Sequence, residues 1–223
     1  MVRQIPNWIN GREVLPAENF DKISPATEDV LWSVARSSAS EVDAAISAAS
    51  EAQAAWAKTT PVRRGEILHA IAGNMEAAKK EIAELVHLET GKSRKDALGE
   101  TGGAIALARF YAGEGQRLFG RTTTSGTPNR SAMIFRQPVG VAGLIAAANT
   151  PIANIAWKIF PALISGNAAV FKSSEDTPAT SWIIGRIAQE SGLPDGVLNI
   201  IQGLGADASR RDTGHSAPPH PRY

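Results

Sequence analysis

The sequence predicts an α/β protein: a partial doubly wound parallel sheet, one βαβαβ half, preceded by a helical region and a β-hairpin arm. Two observations carry this expectation. Apolar runs recur at Val139–Ala148, Ala168–Phe171 and Val197–Ile201, each too short for a capped helix, and they read as strands covered on both faces. Between them lie two segments of helical spacing, each opening on Thr-Pro and closing at a glycine (Gly166, Gly192). Strand, helix and parallel strand in that order form a right-handed crossover in nearly all folds. The expected segments are 1–120 for an N-terminal hairpin and helices, 121–138 for the arm, 139–208 for the βαβαβ half and 209–223 for a tail.

Composition narrows the classes of function. The chain has 223 residues, 43% of them hydrophobic, enough for a sizeable core. Its 23 basic and 22 acidic residues nearly cancel, which gives no electrostatic case for nucleic acid or an anionic membrane. No apolar run reaches transmembrane length, and the start, MVRQIPNWING, lacks the apolar core of a secretory signal. A soluble cytoplasmic protein is the expectation. The chain has no cysteine, which excludes disulfides, thiolate metal sites and a thiol nucleophile within these residues. His69 and His87 lack metal-ligand spacing, and His215 and His220 fall in the proline-rich tail, so no metal site is expected.

Residues 5 to 38 hold strand-like pieces, Trp8-Ile9 and Val30–Val34, between turns at Asn10-Gly11 and Ser24-Pro25; they read as a surface β-hairpin without chemistry. Ser40 is the expected cap of a helix with Val42, Ala45, Ile46, Ala49, Ala52 and Trp56 along one face. Thr60-Pro61 opens a longer helix, through Ile67, Ile71, Met75, Ile82 and Leu85, that stops at Gly91. A third helical segment, 93 to 118, carries Gly99, Gly102, Gly103, Gly113 and Gly115, read as points of close packing on the sheet. Arg121–Pro138 is rich in Thr and Ser around a Gly126-Thr127-Pro128-Asn129 turn. It is either a plain surface hairpin or an exposed edge on which another chain pairs. Pro161, inside the helix after the first apolar strand, is expected to kink it.

In an open parallel sheet, ligands bind beyond the carboxyl ends of the strands. Asn149 follows the first apolar strand, Lys172 ends the second, and Glu175 comes one turn later. A neutral amide and a cation would then share one crevice, with a carboxylate beside them. Gly203-Leu204-Gly205-Ala206-Asp207-Ala208 matches G-x-G-x-x-A after a strand. Pro218, Pro219 and Pro221 downstream, and no acidic residue at the required distance, count against its use as a classical dinucleotide fingerprint.

These landmarks together resemble the aldehyde dehydrogenase superfamily. The resemblance is carried by INGREV and SPATEDVLWSVA near the start, Glu89-Thr90-Gly91-Lys92, the strand ending in Asn149, Trp157-Lys158, Pro161-Ala162-Leu163, Gly166-Asn167 and Lys172-Ser173-Ser174-Glu175. It departs at Ala147-Ala148, where the family usually has Pro-Trp. It covers roughly 5 to 208; the family's general-base glutamate and nucleophilic cysteine lie in parts that do not follow here.

The resemblance implies oxidation of an aldehyde to a carboxylic acid with NAD(P). It makes Asn149 the donor to an oxyanion, the alternative being a plain helix cap. It puts Lys158 near the active site, although a snorkelling helix lysine reads the same way. Lys172 and Glu175 would hold the adenosine ribose, with Ser174 assisting, Ile145 and Pro151 lining the crevice and Gly205 beside the cofactor. A surface ion pair is the alternative for Lys172 and Glu175. A carboxylate at that place repels a 2′-phosphate, so NAD is expected rather than NADP. Segment 121–138 would pair subunits into a homo-oligomer. The expectation is the N-terminal, cofactor-binding part of an aldehyde dehydrogenase, inactive alone for want of a thiol. The alternative is a non-catalytic nucleotide-binding or subunit-pairing fragment.

Overall fold

A computed structural model describes residues 2–205. The chain begins with β1 (Arg3–Ile5), β2 (Asn7–Ile9), β3 (Arg12–Val14), β4 (Asn19–Ile23) and β5 (Val30–Ala35). Helices α1 (Ala39–Lys58), α2 (Pro61–Ala77), α3 (Lys79–Thr90) and α4 (Arg94–Glu114) follow. The hairpin β6 (Arg121–Thr124) and β7 (Ser131–Ile134) leads into β8 (Val141–Ile145), α5 (Pro151–Ile164), β9 (Ala168–Lys172), α6 (Pro178–Glu190) and β10 (Leu198–Ile201).

The central sheet has the order β3-β2-β10-β9-β8. Strands β8, β9 and β10 are parallel neighbours, which is the α/β crossover pattern expected from the sequence. Side chains alternate along β9 because the pleat has period two. Ala168 and Val170 pack with Val42, Ala45 and Ala49 of α1; Ala169 and Phe171 pack with α5 and α6. Helices therefore cover both faces, and the core of β9 and β10 is buried at every residue. Two further sheets are small: β1-β5-β4 and the isolated β6-β7 hairpin.

Several expectations change. The amino-terminal strands are not a separate surface hairpin. Trp8 in β2 pairs with Ile200 in β10, so β2 and β3 extend the central sheet, and all of β2 is buried. Asn7 Oδ1 accepts from the Gln202 backbone N–H at 2.7 Å and from Ser37 Oγ at 2.9 Å, which fixes that junction. The cap of α1 is Ser38, not Ser40. Ser38 forms a capping box with Glu41, whose Oε2 accepts from the Ser38 N–H at 2.7 Å. The long helix expected after Thr60 is two helices that part at Ala78, where φ is −88° and ψ is 7°.

The glycines of α4 do not pack on the sheet. At Gly99 and Gly103 a Cβ would meet nothing within 4 Å, and at Gly102 it would meet the Lys79 side chain. α4 packs on α2, α3 and α5 instead. The tightest approaches there are Gly115, which ends α4 and whose Cβ would stand 2.4 Å from the Pro61 carbonyl of α2, and Gly65 of α2, whose Cβ would stand 2.5 Å from the Ala112 carbonyl. Strand β8 is shorter than the apolar run that predicted it, and it is only partly covered on each face, Val141 packing on the α1 side and Leu144 on the α5 side. It is an edge strand among the described residues, bonded to β9 alone, so its residues are half-buried or exposed. Pro161 lies within α5, whose helical bonding continues to Ile164.

Candidate functional site

Register defines the site. Ile145 of β8 and Ile201 of β10 both pair with Lys172 of β9, so the three parallel strands end at one level. Their carboxyl ends form an edge with three loops beyond it: 146–150, 173–177 and the chain after β10.

Lys172 sits at the centre of that edge. Its side chain is only 4% exposed, and Nζ donates to Glu175 Oε2 at 3.1 Å. An ammonium has three N–H groups, and Glu175 is its one acceptor among the described residues. The Glu175 side chain is 44% exposed and looks outward. Burial opposes its charge, but its own N–H, the Lys172 ammonium and the Gly205 N–H together outweigh that, holding its pKa below the usual carboxylate range. A Cβ on Gly205 would come within 3.9 Å of Glu175 Oε1. The structure thus brings Lys172, Glu175 and Gly205 together. Ser174 is half-buried in the same loop, where its Oγ accepts from the Asp176 N–H at 3.3 Å. Ile145 is 42% exposed at the end of β8. Pro151 is buried in the first turn of α5. Ala208, the last member of the glycine motif, lies outside the described residues, as does the tail with His215 and His220.

Asn149 does not directly follow a strand: β8 ends at Ile145, and Asn149 is an exposed residue in the loop beyond the same edge. Thr150 does not cap α5 with its side chain, nor does Thr177 cap α6. Asn154, one turn into α5, donates through Nδ2 to the Ala147 carbonyl at 3.1 Å and to Asn149 Oδ1 at 3.0 Å. A backbone carbonyl can only accept, so the nitrogen of Asn154 is identified, and Asn149 must turn its oxygen towards it. The Asn149 NH₂ is left free to donate, since it has no partner among the described residues. Lys158 is half-buried on α5 with no ionic or hydrogen-bond partner among the described residues.

Three supporting groups were missed in sequence. Asn167 accepts through Oδ1 from the N–H groups of Val139 (2.7 Å) and Gly140 (3.1 Å), pinning the start of β8 to the turn before β9. Glu100 of α4 accepts from the N–H groups of Ile152 (3.0 Å) and Ala153 (3.3 Å) at the start of α5. Glu89, 2% exposed at the end of α3, accepts from the N–H groups of Ala179 (2.7 Å) and Thr180 (3.0 Å) and from Thr180 Oγ1 (2.7 Å) at the start of α6. Burial pushes the Glu89 carboxyl up to about 7 against the pull of those bonds and of Lys22. Glu89 belongs to the Glu-Thr-Gly-Lys landmark, the one signal that could have pointed to it. No cluster of three or more potential metal ligands occurs among the described residues.

This arrangement can do two things. It can present a carboxylate and an ammonium to a polyhydroxyl ligand, and it can aim an amide donor from the neighbouring loop. The model of the aldehyde dehydrogenase family matches residues 8–218. The chain belongs to the aldehyde dehydrogenase family. Among relatives, it is 39% identical over 206 residues to the alpha-ketoglutaric semialdehyde dehydrogenase of Bacillus subtilis, covering 90% of this chain and 42% of that protein. It is 36% identical over 214 residues to the NADP/NAD-dependent aldehyde dehydrogenase PuuC of Escherichia coli, covering 94% and 43%. Among solved structures, a 3,6-anhydro-L-galactose dehydrogenase in complex with NAP matches with a TM-score of 0.91 at 32% identity, over 96% of this chain and 45% of that one. A betaine aldehyde dehydrogenase point mutant from Staphylococcus aureus in complex with NAD+ matches at 0.91 and 30%, over 95% and 44%. This aldehyde dehydrogenase chain therefore spans less than half the length of the relatives it matches. No described helix is long and apolar enough to cross a membrane.

Proposed function

We propose that this chain is the N-terminal, cofactor-binding part of an NAD-dependent aldehyde dehydrogenase, whose full-length form oxidises an aldehyde to a carboxylic acid. The observation that carries the reading is the Lys172–Glu175 pair at the common end of three parallel strands, one partner buried and the other facing outward. The residues fit an adenosine ribose. Glu175 is ionised and half-exposed, so it can accept from two vicinal hydroxyls, and Lys172 has two N–H groups to spare among the described residues. A 2′-phosphate would meet the Glu175 carboxylate, which favours NAD over NADP. Bound NAD supplies the hydride acceptor.

Asn149 contributes on the aldehyde side. When a nucleophile adds to a carbonyl, negative charge collects on oxygen, and one aimed amide donor stabilises it by about 3 kcal/mol. Asn154 holds the Asn149 oxygen, so the NH₂ is the end presented. Lys158, one turn further along α5, adds positive charge on the same side. The 223 residues contain no cysteine, so the attacking thiol is not among them. A calorimetric titration with NAD and with NADP tests the reading. We expect saturable NAD binding, weaker NADP binding, and no aldehyde-dependent NADH above blank from this chain alone. Equal or tighter NADP binding, or turnover abolished by Asn149→Ala, would overturn it.

One observation favours a pairing role beside it. Every residue of β6 and β7 is exposed, and Met133, Ile134 and Phe135 are 59%, 62% and 72% exposed. An apolar hairpin edge of this kind is a template for a second subunit, making a homo-oligomer the expected assembly.

A further inference from the structure

We infer that Glu89 and Glu100, which flank the α3–α4 turn, are positioning residues: each carboxylate pins one of the two loops that carry the site. The role rests on the nucleotide reading of that edge. Loop 146–150 holds Asn149 and runs into α5; loop 173–177 holds Ser174 and Glu175 and runs into α6. Both helices open on Thr-Pro, yet neither threonine caps with its side chain. The free N–H groups are taken instead by carboxylates from a different part of the chain, Glu100 for α5 and Glu89 for α6.

A serine or threonine cap would satisfy the same donors at no cost in buried charge. Such a cap holds only its own helix. A carboxylate from another helix fixes where that helix begins relative to a scaffold, and so fixes the loop leading into it. The scaffold is itself braced. Gly91 turns left-handed (φ 73°) between the two helices, and Lys92 Nζ donates to Glu100 Oε2 at 2.5 Å. The next loop has a second tether in Lys22 Nζ, 4.0 Å from Asp176 Oδ1. Three residues separate the Ala179 N–H held by Glu89 from Glu175, and two separate the Ile152 N–H held by Glu100 from Asn149. Displacement at either helix start is therefore passed directly to a site residue.

Hydrogen exchange read by mass spectrometry tests this, with NAD titration on the same samples. In Glu89→Gln the NH₂ of the new side chain must face a backbone N–H, that of Ala179 or that of Thr180, donor against donor. Faster exchange is expected there, confined to 173–181, with NAD binding weakened roughly two- to thirty-fold. In Glu100→Gln the faster exchange should be confined to 146–154, with NAD binding near wild type, because that loop faces the aldehyde side. Thr180→Val, which removes one donor to Glu89 without burying a new polar group, should give the Glu89→Gln pattern in weaker form even where Glu89→Gln does not fold. Exchange that rises evenly over the chain, or NAD binding that falls equally in both glutamine variants, would show a merely structural role and overturn the inference. If wild type bound no NAD while both segment-specific patterns held, the nucleotide reading would fall and the anchoring of the loops would stand.

Discussion

Lys172→Met is expected to weaken NAD binding roughly ten- to hundred-fold while leaving the chain folded. A hydrogen bond to a charged group contributes about 1.5–3 kcal/mol, which is that range in affinity. Stability should hold for a separate reason. The Lys172 side chain is 4% exposed, and an ammonium at such a place carries a desolvation cost that methionine of similar length does not. Its partner Glu175 is 44% exposed, so the carboxylate left behind can be hydrated. Loss of affinity with an unchanged melting midpoint identifies a binding residue. Loss of both would mean that Lys172 serves the fold, and loss of neither that it does not hold the nucleotide.

The second large effect falls on Arg64, far from the edge. Its guanidinium is buried, 4% exposed, and donates to the carbonyl of Ile164 at 2.9 Å and to those of Trp56, Ala57 and Thr59 at 3.5, 3.4 and 2.5 Å. They lie at the ends of α1 and α5, where a helix leaves carbonyls unsatisfied, although that of Trp56 also accepts from the Thr59 N–H at 3.1 Å. Gly166, with φ +88°, leaves space for the guanidinium: a Cβ there would stand 3.2 Å from its central carbon. Arg64→Met would leave the buried Ile164 carbonyl and the part-buried carbonyls of Ala57 and Thr59 without this donor, at up to about 1–3 kcal/mol each. The loss should be at least ~3 kcal/mol, a large share of a typical 5–15 kcal/mol, lowering the melting midpoint by about 10 °C. Thermal unfolding followed by circular dichroism reads this directly. A midpoint within ~2 °C of wild type would show that other groups satisfy those carbonyls.

The parts of the fold legible in the sequence were those encoded locally. Thr150-Pro151 and Thr177-Pro178 mark the starts of α5 and α6, and the apolar runs mark β9 and β10, because helical start signals and strand length act over a few residues. The extent of β8 was not legible. An apolar run does not say whether both faces will be covered, and here an edge strand stops at Ile145, so that Asn149 belongs to the loop. Nor could the sequence show that Trp8 pairs with Ile200, since that contact depends on where the two ends of the chain meet.

The site divides in the same way. Lys172 and Glu175 were visible as a strand-end pair three residues apart, and Gly205 as part of a glycine motif. Asn154 was hidden because an asparagine on a helix has many bland uses, and only the Ala147 carbonyl reveals its orientation. Glu89 stood in the Glu-Thr-Gly-Lys landmark without a role, and nothing around Glu100 singled it out. Their roles come from contacts 90 and 52 residues away, which no local pattern records.

Saturation-transfer NMR on NAD with this chain tests the central claim most directly. The account predicts the strongest transfer at the ribose protons of the adenosine half, abolished in Lys172→Met/Glu175→Gln and kept in Asn149→Ala. No transfer to NAD, or an unchanged pattern in the double variant, would contradict it.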